Sequence, residues 1–190
     1  IIAAGVFMIA WNSRRFAESK FLNYLGISYL SVAVLDILHT LGFKGMGIFL
    51  DYDYYANQLW IAARYVESLS LLVFISLRED KRKHPKYGTV LGIYGGVTAG
   101  LIASIFLFKV FPECYIEGEG QTTFKLVSEF IIAGILLVSL LLLTKRRREF
   151  DRRVLRFIFV SIVLTILSEI AFTFYFDNYG IANFIGHIFK

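Results

Sequence analysis

A chain of 190 residues that is 57% hydrophobic and 18% charged, with a mean hydropathy of +0.63, does not have the composition of a water-soluble domain, which is closer to half apolar and a quarter charged. Apolar runs long enough to cross a bilayer recur along it, each crossing taking ~20 residues for ~30 Å of hydrocarbon, which leaves no room for a soluble catalytic domain. The single cysteine, Cys114, excludes an internal disulfide framework and a multi-thiolate metal cluster, and the net charge of +5 has its explanation in the loops between the spans.

The first apolar segment, 1–11, would be ~16 Å of helix, too short to span, and reads as the tail of a helix that starts earlier. Complete spans are expected at 21–41, 57–77, 88–110, 124–144 and 154–176. A last helix opens near Gly180 and reaches only half a crossing by Lys190. The expected fold is therefore an all-α, polytopic transmembrane helical bundle of about seven helices, five of them complete. Residues 1–190 form one signal-input domain in this reading, with more chain expected beyond Lys190.

Alternate connections carry the positive charge. Segments 12–20, 78–87 and 144–156 hold 15 of the 20 lysines and arginines, and short loops rich in these residues stay in the cytoplasm. The other connections, 42–56, 111–123 and 177–180, hold Asp51, Asp53, Glu113, Glu117, Glu119 and Asp177 with Lys44, and with Lys109 and Lys125 counted to them from the adjoining span ends, and face outward. This predicts a multi-pass protein of the cell membrane whose last helix runs inward. The topology rule accounts for the basic loops, so they are no evidence for nucleic acid, and no nucleic-acid partner is expected.

The fourth span places Gly88, Gly92, Gly96, Gly100 and Ser104 four residues apart. Such a bare ridge lets a neighbouring backbone approach closely, and it is expected to sit against another helix. Tyr52, Tyr54, Tyr55 and Trp60 suit the outer interface, where amphipathic rings anchor.

Ionisable residues inside the spans carry the functional reading, because each costs about 2.5–3.5 kcal/mol to insert and persists where it is paired or used. Asp36 and His39 lie three apart on the second span, and Arg64 and Glu67 three apart on the third, each pair on one helix face. Glu129 is on the fifth, Glu169 on the sixth within a stripe of Ser161, Thr165, Ser168 and Thr173, and Asn183 and His187 are on the last. At ~1.5 Å per residue, Arg64, Glu129, Glu169 and His187 fall roughly 7–10 Å below the outer boundary, so these groups are expected to converge on one buried polar site. His39 and His187 with Glu169 could ligate a transition metal, or opposed imidazoles a haem. No HExxH or phosphate-binding glycine loop is present. A small-molecule or ion transporter, or a proton pathway, would use the same residue types, but should continue its polar groups to both faces, and the cytoplasmic halves of the spans read as almost purely apolar.

Four runs carry a resemblance: Ala10-Trp11-Asn12-Ser13-Arg14; Leu35-Asp36-Ile37-Leu38-His39-Thr40-Leu41 with Lys44-Gly45-Met46; Gln58 to Ser68, including Trp60, Arg64 and Glu67; and Asn183 to Lys190, including Gly186 and His187. With them the chain resembles the third of the membrane-associated sensor families, polytopic input domains of prokaryotic histidine kinases and diguanylate cyclases. The resemblance implies a membrane sensor domain in signal transduction, as in two-component systems. This segment would not itself be an enzyme and would be covalently linked to a cytoplasmic effector, with the bilayer and a second copy as further partners. It implies no ligand.

Overall fold

The computed structural model describes residues 1–15, 20–52, 54–77 and 85–173. Helix α1 spans Ile2–Ser13, α2 Lys20–Leu41, α3 Tyr55–Ser76, α4 Tyr87–Ile102, α5 Thr123–Lys145 and α6 Arg152–Thr173. Residues 174–190, with the expected last helix and its Asn183 and His187, lie outside the described residues. Among the described residues, five helices are long and apolar enough to cross a membrane. Helix α1, at 12 residues, is too short at ~18 Å.

The chain divides into two compact units, Ile1–Pro112 and Glu113–Lys190. In the first, α2 packs on α1, α3 and α4 around a core of Val32, Leu35, Leu59, Ala63, Val66 and Ile105. Helix α1 approaches α2 closely at Gly26, where an added Cβ would collide with that of Ala10. In the second unit α5 packs on α6. Ahead of them Tyr115–Ile116 and Gly120–Gln121 (β1 and β2) form a two-stranded antiparallel hairpin whose turn uses Gly118 at φ +84°, a conformation that favours glycine. Thr122 then caps α5, its hydroxyl accepting from the Lys125 amide at 3.3 Å, the partner that a helix start requires.

The fourth span is found at Tyr87–Leu107, α-helical to Ile102 and then a π-helical turn, Ala103–Leu107. One sequence expectation fails on it: among the described residues of the first unit its glycine ridge meets no other helix, since Gly92, Gly96 and Gly100 are exposed, and a Cβ at any of them, or at Gly88, would meet nothing within 4 Å. The physical reason is hydroxyl satisfaction. Tyr94 and Thr98, ~200° round the helix from Gly92 and Gly96, turn inward, and Tyr94 meets Ser70 of α3 at 2.6 Å. Hydrocarbon offers such a group no partner.

Candidate functional site

Asp36, Arg64 and Glu67 meet in the first unit. Arg64 and Glu67 are one turn apart on α3, and Asp36 approaches from α2. The Arg64 guanidinium is 1% exposed and donates to Asp36 Oδ1 at 2.7 Å, and through its other terminal nitrogen to Glu67 Oε2. Glu67 also accepts from the Tyr29 hydroxyl at 3.0 Å. Tyr29 lies seven residues before Asp36, two turns along the same face of α2. The Trp60 ring covers the guanidinium carbon at 4.7 Å, a cation–π contact strengthened where water is excluded. On its other neighbour, the ring centroid lies 5.3 Å from that of His39, whose Nδ1 is 2.7 Å from the Ala56 carbonyl. In the tautomer that donates to this carbonyl, Nε2 is left as the acceptor.

One guanidinium thus serves two carboxylates and ties α2 to α3. Dehydrating an arginine is costly unless its hydrogen bonds are replaced, and here two charged acceptors and an aromatic face replace them. Asp36 differs from the others, because its side chain remains 33% exposed. It is the accessible edge of an otherwise closed centre.

Polar contacts also extend along α2, α3 and α4 away from this centre. One turn beyond Glu67, Ser70 meets Tyr94, with Ser28 alongside. Nearer the start of α2, Asn23 Nδ2 donates to the Tyr87 hydroxyl at 3.3 Å and Tyr24 to the Pro85 carbonyl at 2.8 Å. The half of these spans next to the basic connections is therefore less apolar than the hydropathy pattern implies. At the opposite end, Asp51 accepts from Lys109 at 2.9 Å and from Tyr55 at 2.8 Å. The hydrogen bond from Lys109, then that from Tyr55, holds the exposed Asp51 carboxyl below the usual carboxylate range, and the same bond raises Lys109.

Glu129 and Glu169 belong to the second unit, and both are fully buried. Glu129 Oε1 accepts from Lys125 Nζ at 2.7 Å. The ammonium also donates to Gln121 Oε1 at 3.1 Å, and Gln121 Nε2 reaches the Phe172 carbonyl of α6 at 3.1 Å. Lys125 is therefore not a residue of the outer connection: it sits in the first turn of α5, 2% exposed, because a carboxylate waits one turn further on. Its i, i+4 spacing to Glu129 is the signal by which the sequence could have revealed this pair. Cys114, just before the hairpin, is buried, and burial pushes its thiol up to about 12.

Of the residues singled out from the sequence, Asp36, Arg64 and Glu67 form one network and His39 joins it through Trp60. Glu129 and Glu169 lie in the other unit, and Asn183 and His187 fall outside the described residues. Among the described residues no group of three or more His, Cys, Asp or Glu side chains could hold a metal ion. Tyr29, Trp60, Gln121 and Lys125 are members of these networks that sequence reasoning did not place there.

Helices of this length and apolarity make the chain a multi-pass membrane protein. The chain belongs to the third membrane-associated sensor family, described as a membrane-associated sensor domain, whose profile matches residues 1–190. No curated protein and no solved structure matches it.

Proposed function

We propose that this membrane sensor domain detects its signal at the Asp36–Arg64–Glu67 centre and passes it, as a change in the packing of α2 against α3 and through the last helix, to a covalently linked cytoplasmic signalling domain. One observation carries the reading: a single buried guanidinium joins two spans through carboxylates, and one of those carboxylates is accessible. A ligand or a change of charge at Asp36 alters the bond to Arg64 directly. The response requires only that the signal bind the two packings of α2 and α3 with different affinity. The resemblance to input domains of kinases and cyclases supports the output, and the basic connections support its cytoplasmic side. A second copy of the chain and the membrane of the cell are the setting proposed for it. Glu129, Glu169, Asn183 and His187, and a transition metal or haem, enter the proposal only as a second input.

The test uses the full-length protein in its native membrane. Asp36→Asn keeps shape and removes charge, and should leave insertion and expression intact while output becomes independent of the stimulus. Stimulus-dependent output equal to wild type in that variant would move the signal site elsewhere.

A second reading, a proton pathway, is favoured by the hydroxyls of Ser70, Tyr94 and Ser28 that continue from Glu67. Proteoliposomes carrying an internal pH dye separate the two. Proton flux above empty vesicles that is lost in Tyr94→Phe supports a pathway, and flux equal to empty vesicles excludes it.

A further inference from the structure

Residues 145–156, which join α5 to α6, hold six arginines and one lysine against two acids, Glu149 and Asp151. Lys145 ends one candidate span and Arg152 begins the next, so the whole segment stays close to the boundary of the hydrocarbon layer. Both acids are engaged within it. Glu149 is held by Arg146 across a 3₁₀ turn, Arg147–Glu149, with Nε 3.1 Å from each carboxylate oxygen. Asp151 Oδ1 accepts from the amides of Arg153 at 2.8 Å and Val154 at 3.3 Å and so caps the start of α6. Lys145, Arg147, Arg148, Arg152, Arg153 and Arg156 are exposed in the second unit, and none of them forms an ion pair among the described residues.

The topology rule explains on which side of the bilayer such cations lie, and it treats lysine and arginine alike. Two features go beyond it. The first is residue choice: arginine outnumbers lysine six to one here, whereas 78–87 has two arginines and three lysines. A guanidinium presents a planar fork that matches phosphate oxygens in pairs, and an ammonium does not. The second is placement. Arg152, Arg153 and Arg156 stand in the first turns of α6, three and four residues apart on neighbouring positions, at the positive end of the helix dipole, where cations are unfavourable. Asp151 offsets only part of that charge. Among the described residues of this unit no other acid can neutralise the rest, because Glu129 and Glu169 are buried and Glu113, Glu117 and Glu119 precede α5, whose 23 residues measure ~35 Å. The other basic connections bring an excess of their own, three cations to one acid in 12–20 and five to two in 78–87.

We infer that this connection is a binding surface for the headgroups of anionic phospholipids, whose phosphates lie at the depth where the two spans end. A phosphate at the start of α6 meets Arg152, Arg153 and Arg156 together with the positive end of the helix, and Arg147 and Arg148 extend the surface from the turn. At the face of an anionic bilayer each lysine or arginine counts for about a fivefold change in binding. The surface stands independently of the signal proposed above.

Full-length protein reconstituted in phosphatidylcholine vesicles, doped with phosphatidylglycerol or phosphatidylcholine spin-labelled on the acyl chain, tests it through the motionally restricted fraction in electron paramagnetic resonance. Phosphatidylglycerol is expected to be preferred several-fold at low salt. The preference should fall by half or more in the double variant Arg152→Gln, Arg153→Gln, and in Arg147→Gln, Arg148→Gln should the first pair fold poorly. Either variant keeps five cations in the connection, enough to hold its side of the membrane. Lys81→Gln with Lys83→Gln removes the same charge from another connection and should leave most of the preference. Equal restriction of the two lipids in the wild type, a loss in the lysine variant as large as in the arginine variants, or a folded arginine variant with the whole preference would each overturn the surface. Glycerol phosphate in millimolar excess should displace little of the lipid, and complete displacement would assign the arginines to a soluble phosphate ester instead.

Discussion

Arg64 bears the largest single electrostatic burden among the described residues of the first unit, because its removal leaves two carboxylates facing each other at the edge of the bilayer interior. Breaking a buried charge pair from one side costs about 3–5 kcal/mol. Arg64→Ala is therefore expected to lower the unfolding free energy by about that amount, measured by denaturant titration in mixed micelles. The double variant Asp36→Asn, Arg64→Met should recover part of the loss by removing charge of both signs. A double variant no more stable than Arg64→Ala would show that the penalty comes from packing against Trp60, not from stranded charge. Cys114, just before the hairpin, gives a second residue-scale expectation. A thiol pushed up to about 12 stays protonated at pH 8, with about one thiolate in ten thousand, so the folded protein should resist maleimide and the denatured protein should react fully. Rapid modification of the folded protein would contradict the burial. These charges were legible in the sequence because they interrupt apolar runs, whereas Tyr29 and Trp60 were not, since an aromatic residue in a span fits lipid, interface and core equally well.

Between helices, the close approach falls at Gly26 and Ala10, not on the glycine ridge of α4. Both sites use the same physics, in which a missing side chain lets two backbones approach, but sequence spacing cannot tell which face of a helix turns inward. On α4 that decision belongs to Tyr94 and Thr98, whose hydroxyls are bonded inside. Gly26→Ala should therefore destabilise α1 on α2 by about 1–3 kcal/mol, the usual cost of overpacking, while Gly96→Ala should be neutral or slightly stabilising through helix propensity. Thermal unfolding of the two variants in one detergent checks both, and a larger loss at Gly96 would return the ridge to a helix contact. The start of α5 agrees with the expected span to within one residue, and what the sequence left unread there is the burial of Lys125. Hydropathy places a lysine at the end of a span with the connection beside it, but the cap at Thr122 and the pair between Lys125 and Glu129 hold it inside the helix. The π-helical turn of α4 leaves no hydropathy signal at all.

Across the first unit, the ends of the spans sort as alternating crossings require. Tyr24 and Asn23, at the start of α2, bond to Pro85 and Tyr87, at the start of α4. Lys109, beyond the end of α4, bonds to Asp51 between α2 and α3. The segment before α4 therefore shares an end with the chain entering α2, and the segment after α4 shares the opposite end with the connection 42–54. The lysines and arginines were counted without this geometry, yet 12–20 and 78–87, two of the basic connections, flank the first of these ends. Short basic loops remain on the cytoplasmic side, so 42–56 and 111–123 should face out. Because the native cysteine is expected to be silent, single cysteines can be introduced without removing it. In intact spheroplasts, Lys44→Cys and Glu117→Cys should react with a membrane-impermeant maleimide, and Arg148→Cys, between α5 and α6, should react only after permeabilisation. Efficient labelling of Arg148→Cys in sealed spheroplasts, with Lys44→Cys protected, would reverse the orientation, place the last helix's exit outside the cell, and remove the route from the charged centre to a cytoplasmic signalling domain.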